Sequence, residues 1–197
     1  MNLNLFRNKD LTDEELLISI SNGNNDAFNN LYSRYKDRLL YYFYRMLFQD
    51  KELAKDFVQE IFIKIINKPH LYNPNMKFST WIFSVANNMC KNEYRRQDIR
   101  KNTISCENPD TFNNEDFSDN NHEPAIKLIF TQLERFDESH KSAFLLKYRE
   151  GFSIDEISNV LDLPVGTIKS RLFYTRKKLQ ENIKNNHPEL IEQLNLQ

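Results

Sequence analysis

Turn-forming residues are scarce in this 197-residue chain, which holds 3 glycines and 6 prolines. A β-rich fold of this length needs many tight turns, so the shortage turns the expectation to helices. Cysteine is as sparse. Cys90 and Cys106 are the only two and have no metal or redox spacing, which excludes a disulfide scaffold and fits a reducing cytoplasm. No apolar run is long enough to cross a bilayer, and no basic-then-apolar segment opens the chain, so neither membrane insertion nor secretion is expected. His70, His122, His140 and His187 are dispersed, with no nucleophile or metal partner at useful spacing. No enzyme, metal site or cofactor is expected. A net charge of -1 excludes a general polycation, but it permits opposite charges to be segregated along the chain.

They are segregated. Between Lys101 and Glu123 the only cation is Lys101, against Glu107, Asp110, Glu115, Asp116, Asp119 and Glu123, with asparagines filling most of the gaps. Ile104, Phe112 and Phe117 are too scattered to offset the entropy of ordering the segment. Residues 98–123 therefore read as a flexible acidic linker. A solvated loop inside one domain is the alternative, but loops this long are uncommon in compact domains. The expected fold is all-α: an N-terminal helical bundle and a C-terminal helix-turn-helix domain joined by this linker. The boundaries fall at 24–97 and 124–184, with an N-terminal segment 1–23 and a tail 185–197.

The first half carries helical periodicity throughout. Thr12 and Glu15 form a capping box opening a short amphipathic helix. From Asp26 a long run places Phe28, Leu31, Tyr35, Leu39, Tyr42, Phe43 and Met46 on one side. Asp50 can cap a third helix bearing Leu53, Ala54, Phe57, Val58, Ile61, Phe62 and Ile65, which stops before Pro69. A fourth follows Phe78. At about 100° per residue, Ile82, Val85 and Met89 share one side. Ser84, Asn87, Asn88, Lys91 and Arg95 form a neighbouring polar and cationic stripe, with Trp81 at its border. Such a stripe can stack and hydrogen-bond single-stranded nucleic acid. A solvated face beside a half-buried tryptophan accounts for it equally well.

In the second half, Pro124 suits a first helical turn, and a helix over 139–149 ends at Gly151. Ser153 and Glu156 then form a second capping box, Asp162-Leu163-Pro164 makes a tight turn, and a basic helix begins near Val165. Two short helices joined by a few residues, the second basic, make a DNA-binding helix-turn-helix. On the second helix Ile168, Leu172, Thr175 and Leu179 fall within about one-sixth of the circle and form the packed side. Lys169, Ser170, Phe173, Tyr174 and Lys177 lie opposite, flanked by Arg171 and Arg176. The outward centre would meet base edges while the flanking cations hold phosphates.

Three stretches carry a family resemblance. Pro164-Val165-Gly166-Thr167-Ile168-Lys169-Ser170-Arg171-Leu172 resembles the region 4 motif of bacterial sigma-70-type factors of the extracytoplasmic-function (ECF) group. Ala54-Lys55-Asp56-Phe57-Val58-Gln59-Glu60-Ile61-Phe62 is similar to that group's region 2 motif, and Phe78-Ser79-Thr80-Trp81-Ile82-Phe83-Ser84-Val85-Ala86-Asn87-Asn88 to the stretch after it. The resemblance spans 26–96 and 124–183. It implies a cytoplasmic subunit that joins core RNA polymerase and directs it to promoter DNA, in many relatives under an anti-sigma factor. Asp56, Gln59 and Glu60 would face polymerase. Trp81, Ser84, Asn87, Asn88, Lys91 and Arg95, with the loop before them, would open the minus-10 element and hold a flipped base. Lys169, Ser170, Phe173 and Tyr174 would read minus-35 bases, with Arg149, Thr167, Arg171, Arg176 and Lys177 on phosphates. The acidic linker would thread the polymerase near its active site.

Two positions depart from the group's pattern. Asn92 stands where relatives usually carry an acid, and Asn87 where an arginine is frequent, which weakens phosphate contact there. The alternative function is a stand-alone helix-turn-helix regulator binding an operator as a dimer. It needs a sensor or dimerisation domain, and the first half offers neither a phosphate-accepting βα pattern nor a glycine-lined pocket.

Overall fold

A computed structural model of the chain describes residues 11–103 and 124–186. These fall into two compact units, one on each side of residues 104–123. The acidic stretch 104–123 and the tail from 187 lie outside the described residues. Among those described, the secondary structure is α-helical with one short 3-10 turn and no strand, which agrees with the all-α expectation.

The first unit contains α1 (Asp13–Ser21), α2 (Asn25–Met46), α3 (Lys51–Asn67), a 3-10 turn (Pro69–Leu71) and α4 (Phe78–Thr103). Each of the first three starts where a side chain can serve an orphan amide. Thr12 and Glu15 form the reciprocal capping box of α1, Asn24 caps α2 through the Ala27 amide, and Asp50 caps α3 through the Leu53 amide. Within the N-terminal segment, α1 packs on the bundle. Leu16, Leu17 and Ile20 of α1 are buried, and Asp13 forms an ion pair with Arg34 at 2.7 Å and accepts from the Tyr35 hydroxyl.

The bundle closes on aromatic contacts. Tyr42 of α2 meets Phe83 of α4 edge-on at 5.4 Å, and Phe43 meets Phe57 of α3 at the same distance. Tyr35 meets Phe78 at 5.2 Å. Edge-to-face pairs of this kind add about 0.5–1.5 kcal/mol each beyond their area burial. α4 also outruns the expected boundary at residue 98. Its sequence through Gln97, Asp98, Ile99 and Arg100 contains no glycine or proline to stop it, so the helix continues to Thr103.

The second unit contains α5 (Pro124–Leu133), α6 (Glu138–Tyr148), α7 (Ile154–Leu161) and α8 (Val165–Asn186). Gly151 stops α6 in the left-handed region with φ 74°. The second capping box holds as read, with the Glu156 amide donating to Ser153 at 3.2 Å and the Ser153 amide to Glu156 at 2.9 Å. The turn between α7 and α8 is closed from both sides. The Leu163 amide donates to the Ser158 carbonyl at 3.1 Å, while the Ser158 hydroxyl donates to the Leu163 carbonyl at 2.5 Å.

That turn requires Asp162 at φ 55°, a conformation that short polar residues and glycine tolerate and β-branched ones do not. Asp162→Val should therefore cost about 1–2 kcal/mol in chemical denaturation, whereas Asp162→Gly should stay within about 0.5 kcal/mol of the parent. Equal losses for the two would show that the side chain, and not the backbone angle, matters there.

Candidate nucleic-acid and polymerase interfaces

The burial along α8 follows the expected helical wheel. Ile168 and Thr175 are fully buried, and Leu172 and Leu179 nearly so. The opposite side carries exposed Lys169, Ser170, Phe173, Tyr174 and Lys177, and Arg176 is exposed on the flank. Phe173 is 71% exposed, an unusual position for phenylalanine unless something covers it. Arg149 is exposed as well, while Thr167 is half-buried.

Two side chains of this set are less free than their positions imply. The Tyr174 ring lies 5.6 Å from His140 and 6.4 Å from Phe136, so α6 and the turn before it fix its orientation. His140 is itself held by Asp137, whose carboxylate caps α6 and approaches the ring nitrogen at 2.7 Å. Burial pushes the Asp137 carboxyl up, but the bonds to the His140 amide and ring outweigh it and leave it below its ordinary value. Arg171 is half-buried, and one guanidinium nitrogen is enclosed without a hydrogen-bond partner among the described residues. Arg176 and Lys177 present their charge more fully.

On α3, Asp56, Gln59 and Glu60 are all exposed, with Phe57 and Ile61 turned into the core. Sequence reasoning missed the apolar part of this face. Ile63 is 55% exposed and Ile66 47% exposed, and Ile63 falls within about 20° of Asp56 on the helical wheel. Neither belongs to the core set that the helical spacing picks out on α3, and burial shows them on the outer side of the helix.

The stripe on α4 is narrower than read. Ser84 and Lys91 are half-buried, and Asn88 and Arg95 are exposed, which leaves those four able to meet a ligand. Asn87 does not belong with them. It is 3% exposed, and its side-chain oxygen accepts from the Tyr42 hydroxyl at 3.4 Å, inside the bundle. The buried arc of α4, which includes Ile82, Phe83, Ala86, Met89 and Cys90, is broader than a single 3.6-residue stripe and takes Asn87 in. Trp81 is only 9% exposed. Its ring packs on Tyr72 at 5.5 Å and Phe78 at 5.6 Å, so it supports the loop 68–77 and offers no open face for stacking.

Comparison with known proteins matches the two units separately. Residues 31–99 match the Sigma-70 region 2 family, and residues 128–179 the Sigma-70 region 4 family. The chain is 30% identical to the ECF RNA polymerase sigma-E factor of Haemophilus influenzae over 183 residues, covering 88% of this chain and 96% of that protein. It is 26% identical over 176 residues to the ECF RNA polymerase sigma factor SigW of Bacillus subtilis, covering 84% of this chain and 94% of that one. Two solved structures share the fold, each with a TM-score of 0.63. One is the sigma factor RpoE of Bartonella quintana in complex with the anti-sigma factor NepR, at 19% identity over 81% of this chain and 98% of that one. The other is CnrH in complex with the cytosolic domain of CnrY, at 21% identity over 88% and 98%. With both regions present in order and the match spanning nearly the whole of its relatives, the chain belongs to the ECF group of the sigma-70 family of RNA polymerase sigma factors.

Proposed function

We propose that this sigma factor, a non-enzymatic subunit acting in the cytoplasm, directs RNA polymerase through three surfaces on its two units. The observation that carries the reading is the outward face of α8, where Lys169, Phe173 and Lys177 stand exposed opposite a fully packed stripe. Lys169, Ser170 and Phe173 read minus-35 bases, with Phe173 against a thymine methyl. Tyr174 contributes from a fixed orientation, and Arg149, Thr167, Arg171, Arg176 and Lys177 hold phosphates. On α3, Asp56, Gln59 and Glu60 are exposed on the turns before the exposed Ile63, a mix of polar and apolar groups suited to protein docking, and polymerase covers them. On α4, Ser84, Asn88, Lys91 and Arg95 meet the minus-10 strand, with Asn87 and Trp81 shaping the surface from beneath. The loop 68–77 takes the flipped base. Residues 24–97 and 124–184 act as the two working domains, joined by the acidic stretch between them, which threads the polymerase near its active site. Since two relatives of the same fold are solved with anti-sigma partners, a protein of that class is the expected inhibitor.

Near-neutral net charge bears on how these surfaces cooperate. Non-specific DNA affinity scales with the number of phosphates neutralised, and acids elsewhere in the chain offset the basic helix. The isolated chain should therefore bind promoter fragments weakly at physiological salt and tightly only with core polymerase. A gel-shift with tight, specific binding by the chain alone would favour the stand-alone regulator.

Ile63→Arg places a charge beside the proposed docking residues without touching the core. It should lower affinity for core polymerase by about tenfold or more while leaving the melting temperature unchanged. Unaltered polymerase affinity would remove Ile63 from the interface.

Base and phosphate contacts separate by their dependence on sequence and salt. In holoenzyme binding to minus-35 variants, Lys169→Ala should relax preference at one position by about 1–3 kcal/mol. Lys177→Ala should weaken all sequences alike and reduce the salt slope by about 1. The same pattern for both variants would overturn this division.

A further inference from the structure

α4 begins at Phe78. The residues before it are Met76 and Lys77, and neither carries an acceptor side chain that could serve the amides of the first turn. The acceptor comes from elsewhere. The amide of Phe78, the first residue of α4, donates to the Glu14 carboxylate at 2.8 Å, from a helix 64 residues earlier in the chain. A negative charge at that end of α4 also complements the helix dipole.

Phe78 is fully buried and joins the loop 68–77 to the body of the bundle. Its ring touches Tyr35 on one side, and Tyr72 and Trp81 on the other, at 5.2, 5.9 and 5.6 Å. Tyr72 in turn closes the loop, its hydroxyl donating to the Met76 carbonyl at 2.7 Å. Inside that closure the Met76 amide donates to the Asn73 carbonyl at 3.1 Å and the Asn75 amide to the Asn73 side chain at 3.0 Å. The exposed tip at Asn73, Pro74 and Asn75 is thus a preshaped turn whose base is Tyr72 and Phe78. The acids of α1 lie against that base electrostatically as well, since burial first, and then the Glu14 and Asp13 charges, push the Tyr72 hydroxyl above its ordinary value.

α1 has anchors other than Glu14. α1 is held by Leu16 and Leu17 in the core and by the Asp13 contacts to Arg34 and Tyr35. It also lies outside residues 31–99, which match region 2. We infer that Glu14 is a positioning residue for promoter opening: its bond to the Phe78 amide fixes the start of α4 and, through Phe78 and Tyr72, the shape in which the loop 68–77 meets the unpaired strand. This rests on the assignment of that loop to the minus-10 element.

The test uses holoenzyme assembled from core polymerase and the full chain, as the parent, Glu14→Ala, Glu14→Gln and Tyr72→Phe. The substrate is a set of promoter fragments randomised within the minus-10 element. Opening is read from permanganate reactivity of unpaired thymines, and preference from sequencing the opened fragments. Core affinity and the melting temperature of the free chain are measured alongside. Glu14→Ala should reduce opening about tenfold, the loss expected for one charge-assisted hydrogen bond. It should also shift the bases selected, with core affinity within about twofold of the parent. Glu14→Gln, which keeps an acceptor oxygen in place, should recover part of the opening, and Tyr72→Phe should shift the same base preference as Glu14→Ala. Opening of the same fragments to the same extent by parent and Glu14→Ala would overturn the inference. So would a loss that tracks reduced core affinity or melting temperature, because that is what a purely structural cap predicts. If the parent holoenzyme opens no fragment while binding core normally, the assignment of the loop to the minus-10 element fails first.

Discussion

Tyr35, Tyr42 and Phe43 project from α2 toward Phe78, Phe83 and Phe57, and these edge-on contacts fix α3 and α4 against a single central helix. The two surfaces assigned to the first unit depend on that arrangement. Asp56, Gln59 and Glu60 are exposed because Phe57 and Ile61 are committed to the core, and Asn88 and Arg95 because Phe83 and Ala86 are. A helix packed on aromatic knobs cannot rotate by part of a turn without opening voids, and close-packed interiors resist voids. The angle between the proposed docking face on α3 and the proposed strand-binding face on α4 is therefore a property of α2. Asn87 enters this core with its side-chain oxygen bonded to the Tyr42 hydroxyl.

In the second unit the same logic runs through α8, whose packed stripe sets the outward direction of the face proposed to meet DNA. The aromatic cluster of Phe136, His140 and Tyr174 stiffens one edge of that face from α6. Beyond its recognition turns, α8 continues to Asn186. Its last turns meet Ile129, Phe130 and Phe144 around an apolar groove of about 440 Å³, so the helix that carries the proposed reading face is also the spine of its domain.

Much of this was legible in the sequence, for identifiable reasons. Both capping boxes, the glycine stop at 151 and the packed stripe of α8 follow from residue chemistry at fixed spacing, and each stands where it was read. The stripe on α4 was legible only in part. A periodicity of 3.6 assigns one face to the core, but α4 is buried over a wider arc against α1, α2 and α3, and that geometry withdrew Asn87 and Trp81 from solvent. Ile63 and Ile66 were passed over for another reason: they fall outside the packed stripe of α3, and only their exposure shows an apolar part of the outer face. Glu14 was invisible for a different reason: a bond spanning 64 residues leaves no local spacing to read.

The central claim is that these faces work together as one initiation factor on polymerase. It is tested most directly by transcription from genomic fragments with purified core polymerase, with and without this chain, and mapping of the start sites. The account predicts new start sites that appear only when the chain is present, each with a shared sequence pair upstream at the minus-10 and minus-35 positions. Start sites unchanged by the chain, or transcription from the same sites by core polymerase alone, would contradict it.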